Sequence, residues 1–253
     1  AFGGTPKEYF HAVASGGRPT LAAVLGTSFA APLALRSAVG IRAILGDPVH
    51  PLTIKALLVH GCVACDQPDA HQVGWGRVPD DVNRLITCEE GEARIIYQGT
   101  LSPGKFLRTP VPLPTLELTG KVRIRATFCY ASPVDPQDAG AYTKAGLSIT
   151  FRPHRAKHKK KSAHAASSSF FRAADFRTEA ELRSDLGKWE TVLQAEHSFN
   201  ASSLLEPVFD VHYNARDAGG QASSGAMPIR YTLVVTIYAS RHTQLQQDMR
   251  NAH

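Results

Sequence analysis

The stretch Gly26-Thr27-Ser28-Phe29-Ala30-Ala31-Pro32 has the residue types and spacing of a nucleophilic site. A serine hydroxyl is a poor nucleophile in water, so a chain that uses one must fix its direction, supply a base and aim hydrogen-bond donors at a developing oxyanion. Ser28 opens an apolar helical segment, and the unpaired backbone N–H groups at a helix start favour both an alkoxide and a tetrahedral oxyanion. Gly26 lets the chain turn sharply and leaves space for a substrate beside Ser28, with Thr27 between them. Ala30 and Ala31 allow close packing of the helix start, and Pro32 is tolerable in a first turn. The competing reading is that Thr27-Ser28 is only a helix cap.

Other reactive residues make weaker patterns. Cys62 and Cys65 form a CxxC, but zinc needs a second close pair, and Cys88 and Cys129 stand alone, so no metal site and no cofactor is expected. His60 precedes Gly61 at the end of a helical stretch and reads as structural. Gly3-Gly4 and Gly16-Gly17 lack the Lys-Ser/Thr and the strand–helix frame of a phosphate loop.

The elements that must hold these residues change character along the chain. Residues 1–90 read as helices and tight turns. A helix is predicted from Ser28 to Leu45, with Gly46-Asp47-Pro48 as its stop, and a second from Pro51 to His60, ending at Gly61. The first has only Arg36 and Arg42 as charges, so it is expected in the interior of a sizeable protein. Two such helices need more covering structure than ninety residues offer, which points to further chain before Ala1. Beyond a boundary at Glu89-Glu90-Gly91 the period becomes two: Val122, Ile124, Ala126 and Phe128 alternate with Lys121, Arg123, Arg125 and Thr127, as in a half-exposed strand. Strands are also predicted at 93–101, 105–113, 147–151, around Phe209-Val211-Tyr213, and at Tyr231–Ala239, the last apolar enough to be central. Residues 189–199 fit strand or helix. An all-β sandwich or jelly roll over 91–245 follows, with 246–253 as a tail. His154–Ser169, rich in Lys, His, Ala and Ser, is expected to be a mobile basic loop.

The Gly26–Pro32 heptapeptide resembles the nucleophile signature of the subtilisin-like serine proteases, the subtilase family, at every position. The likeness continues in order through the long apolar helix, the Pro-led helix with Lys55-Ala56-Leu57-Leu58, and Gly74-Trp75-Gly76-Arg77-Val78, a Gly-aromatic-Gly turn before a last helix expected at Asp80–Ile86. It covers about residues 1–90. It implies the carboxy-terminal portion of an α/β subtilisin-like catalytic domain, followed by the β-sandwich, and a serine endopeptidase of polypeptide substrates with Ser28 as nucleophile. The family's chain order is Asp, His, Ser, so the other triad members and an oxyanion Asn belong before Ser28. Residues 1–27 contain no Asp, no Asn and only His11, which lacks the family's His-Gly-Thr context, and Ala14-Ser15-Gly16 departs from the usual Ala-Pro-Gly. The resemblance therefore implies association with an amino-terminal part carrying them. Bacterial relatives with such extensions further imply an ATPase partner in the cytoplasm. The rival is a protein-binding β-sandwich carrying an inactive subtilase remnant.

Composition bounds these readings. The 253 residues, 43% hydrophobic and 20% charged, fit a globular protein. The net charge of 28 − 22 = +6 is matched by Arg152, Arg155, Lys157, Lys159, Lys160 and Lys161 alone. The rest of the chain is formally neutral, without the broad basic footprint or aromatic interleaving of a nucleic-acid binder. No run of eighteen apolar residues suggests a membrane span. Four cysteines without an evident pairing scheme lean towards a reducing compartment.

Overall fold

The structure is a computed structural model, and it describes residues 10–13, 21–24, 26–63, 74–114, 118–134, 137, 143–158, 165–171, 191–215 and 227–251. It is built mostly of antiparallel β-sheet with few helices. A hairpin of β1 (Phe10–Val13) and β2 (Leu21–Val24), not anticipated from the sequence, precedes α1 (Thr27–Leu45) and α2 (Pro51–Gly61). The last predicted helix of this region is only the short α3 (Asn83–Ile86), and Gly74-Trp75-Gly76 forms a turn with both glycines at positive φ.

The sandwich strands follow: β3 (Glu92–Leu101), β4 (Phe106–Pro110), β5 (Lys121–Ala131), β6 (Ala145–Arg152), β7 (Val192–Asn200), β8 (Val208–Ala215) and β9 (Ile229–Tyr238). One sheet has the order β3-β9-β5-β7 and the other β4-β8-β6. The ambiguous 189–199 region contributes strand β7, and Tyr231–Ala239 is central as its two apolar faces require. The sheets share one core: Val122, Ile124, Phe128, Leu233, Val235 and Ile237 from one meet Leu147, Phe151, Phe209 and Val211 from the other. Phe151, Phe170 and Phe209 pack edge-on or tilted with centroids 4.8–5.2 Å apart. Residues 246–253, read as a tail, include most of α4 (Leu245–Asn251), whose Leu245 and Met249 enter this core.

A third layer covers the outer face of the four-stranded sheet. Alternation along β9 sends Leu233, Val235 and Ile237 inward and Thr232, Val234 and Thr236 outward, where Val234 joins Cys129 and Val192 in a cluster with Ile41, Ala56, Leu57 and Leu85. The half-exposed reading of β5 therefore holds only for its first half. From Ala126 to Tyr130 both faces are buried, because α2 lies across Thr127 and Cys129. The end of α2 fits closely: a Cβ at Gly61 would collide with the Leu85 side chain.

Within this chain α1 is interior on one side alone. Only Ser37 and Ile41 are buried, while Phe29, Leu33, Leu35, Val39 and Ile44 are exposed, Leu35 to 63%. Its inner face meets α2 and, at Gly40, the Val82 side chain. The expectation of no membrane-length apolar helix is corrected: α1 is long and apolar enough by length and composition, since two arginines interrupt its apolar run without outweighing it. The described ends of the basic run are held in place, with His158 bridged to Ala165, Ser168 to Phe151 and His154 to Leu205; residues 159–164 lie outside the described residues.

Candidate active site

Ser28 is the second residue of α1, reached from β2 through Leu25 and Gly26. Gly26 is the N-cap at φ 146, ψ 151, a conformation that L side chains avoid, so the sharp turn needs glycine here. Its carbonyl takes the N–H groups of Phe29 at 3.0 Å and Ala30 at 3.3 Å, leaving those of Thr27 and Ser28 without an intrahelical acceptor. Gly26, Thr27 and Ser28 are all exposed. No side chain caps the helix, so Ser28 lies inside the first turn rather than at its cap, and among the described residues its hydroxyl has no hydrogen bond.

Pro32 is the sixth residue of α1, not part of a first turn. Its missing N–H is the one that would have bonded the Ser28 carbonyl, four residues back. Both the donors and the carbonyl around Ser28 are thus freed from the helix ladder. Such a start combines an exposed hydroxyl with unpaired N–H groups, two of the provisions that attack on a carbonyl requires besides a base.

His60, which precedes Gly61 at the end of α2, is engaged elsewhere. It is buried, with Nδ1 2.9 Å from Thr127 Oγ1 and Nε2 2.8 Å from Thr236 Oγ1. Arg94 donates to the same Thr236 hydroxyl at 2.9 Å, and Arg125 donates to the His60 carbonyl at 3.1 Å. Burial first, and then the charges of Arg94 and Arg125, hold its pKa well below 6.5, so it is neutral and ties α2 to β5 and β9. Its structural reading agrees with this arrangement.

Cys129 is fully buried and its thiol is pushed up to about 12 by burial, opposed by Lys55. It is inert packing. Cys65 lies outside the described residues, and among those described no three His, Cys, Asp or Glu groups gather to hold a metal.

Sequence reasoning missed the polar concentration where the α1–α2 turn meets β3 and β9: Arg42, His50, Gln98 and Arg230 around a cleft of about 420 Å³. Its members are up to 188 positions apart (230 − 42), and only His50-Pro51, a helix-start signal, was locally legible.

No protein-family model matches the chain, and no curated protein does. Among solved structures it is similar to the infectious bursal disease virus VP2 subviral particle, at 11% identity over 62% of this chain and 34% of that one, with a TM-score of 0.29. It is similar also to the Gx strain of that virus, at 9% identity, the same coverages and a TM-score of 0.29. The chain thus spans about a third of the length of these two structures, and at that score the likeness carries no argument.

Proposed function

We propose that this chain is the serine-bearing, carboxy-terminal part of a subtilisin-like serine endopeptidase, joined to a β-sandwich. The observation that carries the reading is the start of α1: an exposed, unbonded Ser28 follows a glycine-only turn, beside N–H groups without helical acceptors. In this mechanism Ser28 Oγ attacks the scissile carbonyl and its proton passes to a histidine oriented by an aspartate, both contributed by chain before Ala1. The unpaired N–H groups at the helix start receive charge as the carbonyl oxygen becomes an oxyanion. Expulsion of the amine and attack by water complete acyl transfer. The uncovered apolar side chains of α1 fit this reading, since the remainder of a catalytic domain would bury them. The partners it implies are a polypeptide substrate, the amino-terminal part of the domain and, more remotely, an ATPase.

A fluorophosphonate probe tests it. A protein extended upstream of Ala1 is expected to label at Ser28 and to lose labelling in Ser28→Ala, while the 253-residue chain stays unlabelled. An extended protein that is never labelled, or an S28A variant labelled as strongly as wild type, favours the rival of a non-catalytic binding module.

A further inference from the structure

The cleft between the α1–α2 turn and the outer edge of β3 and β9 is built by side chains already fixed in place. Arg42 donates to Asp47 at 2.9 Å and to the Val49 carbonyl, bracing the turn. Gln98 on β3 accepts from the His50 backbone N–H at 3.1 Å and from Thr53 Oγ1 at 2.8 Å, and donates to the Pro48 carbonyl at 2.7 Å. Thr53 in turn meets Thr232 Oγ1 at 2.9 Å. The backbone of His50 is therefore clamped to the sheet from below.

Its ring has a conflict. Nδ1 stands 3.1 Å from the Leu52 backbone N–H, and Nε2 stands 3.0 Å from Arg230 NH1. A neutral imidazole offers one acceptor and one donor, yet both neighbours are donors. The Leu52 N–H is an orphan of the α2 start that Nδ1 satisfies, which leaves Nε2 protonated. Nε2–H and the Arg230 guanidinium then present two donors to one place, at the mouth of a cleft lined also by Tyr231 and Thr100. Two converging donors, one of them always cationic, are matched by a shared oxygen of an anion.

We propose that this cleft binds an oxyanion group, a phosphate or a carboxylate, held by Nε2–H of His50 and the guanidinium of Arg230. Its volume of about 420 Å³ suits a small molecule or a chain end rather than a bare ion. The Arg42–Asp47 pair adds no net charge, so Arg230 supplies the positive field. The site is independent of Ser28 and of the peptidase reading.

The full 253-residue chain, ¹⁵N-labelled, is titrated at constant ionic strength with inorganic phosphate and, separately, with N-acetylglycine, following the His50 and Arg230 side-chain signals. Shifts that saturate with either probe support the site, and the tighter probe identifies the anion. His50→Asn keeps a helix-capping acceptor but lacks Nε2–H, and Arg230→Met keeps the stem without the charge. Each should weaken binding by about tenfold or more, the loss of one charge-assisted hydrogen bond. The nitrogen spectrum of the free protein should also show neutral His50 protonated on Nε2. No saturation with either probe, equal affinity in wild type and both variants, or a proton on Nδ1 would each overturn the proposal.

Discussion

Thr109 lies on β4 at 3% exposure, and its hydroxyl is the one buried side-chain polar atom among the described residues without a hydrogen bond. A buried hydroxyl without a partner costs its desolvation and returns nothing, so Thr109→Val, which keeps the shape and the β-branch, should stabilise the chain by about 1 kcal/mol. Urea denaturation of the two proteins reads this directly, as a higher midpoint at unchanged slope. His60 is the opposite case, buried with both nitrogens engaged. Its folded pKa lies below 6.5, so as pH falls the unfolded chain takes up the proton first and stability drops. The contribution is full above about 6.5 and is lost as pH descends from there towards the folded value. Stability measured at pH 7.5 and pH 5 should therefore fall in wild type and fall less in His60→Gln, which has no proton to gain. Ser28 contributes to neither ledger. In the complete enzyme of our proposal, Ser28→Ala should lower turnover by at least about 10⁴-fold. Because Gly26 is the N-cap, the same change should cost less than about 0.5 kcal/mol, and a variant that melts early but keeps its turnover would return Ser28 to a structural role.

Among the elements, the three-stranded sheet depends on one charge. Asp210 on β8 is almost wholly buried and accepts from Arg108 of β4 at 2.8 and 3.0 Å and from Arg152 of β6 at 2.7 Å. Burial raises the Asp210 pKa, but the hydrogen bonds and charges of the two arginines outweigh it and hold the carboxyl below 3.8. Arg152 also donates to the Ala165 carbonyl, so the same triad ties down the returning end of the basic run. Asp210→Asn should cost about 3 kcal/mol, mainly because Arg152 would be left mostly buried without its carboxylate. Arg108 is half exposed and adds little. The sign with pH follows from the depressed pKa: this stability is present above about 3.8 and is lost as pH falls through the folded value. A wild-type acid transition steeper than that of D210N, followed by tryptophan fluorescence, is the expected result.

At the scale of the whole molecule, the described residues make two sheets and a helical layer, with the sandwich core buried between the sheets and the helical layer packed on one side. Its inner side is sealed by Leu57, Ile41 and Val234, while the outer side of α1 leaves large apolar side chains in water. How much of this the residues announce depends on how local the cause is. The period-two alternation of β5, the Pro51 start of α2 and the strands on either side of Ser102-Pro103-Gly104 are written in neighbouring residues, because pleat, fixed φ and turn chemistry act over a few positions. So is the candidate nucleophile, since a glycine turn and a serine at a helix start occupy adjacent positions. The strand nature of β7 was decided by its partner: residues whose propensities suit either state became a strand by pairing along β5 from Lys121 to Cys129. The burial of Thr127 and Cys129 came from α2, and the neutral state of His60 came first from its own burial between α2 and the sheet and then from Arg94 and Arg125, neither adjacent in sequence. The cleft of His50, Gln98 and Arg230 is the extreme case. Sequence determined which groups can donate and accept, and only the tertiary structure, by bringing residues 50, 98 and 230 to one sheet edge, decided that two donors would face each other there.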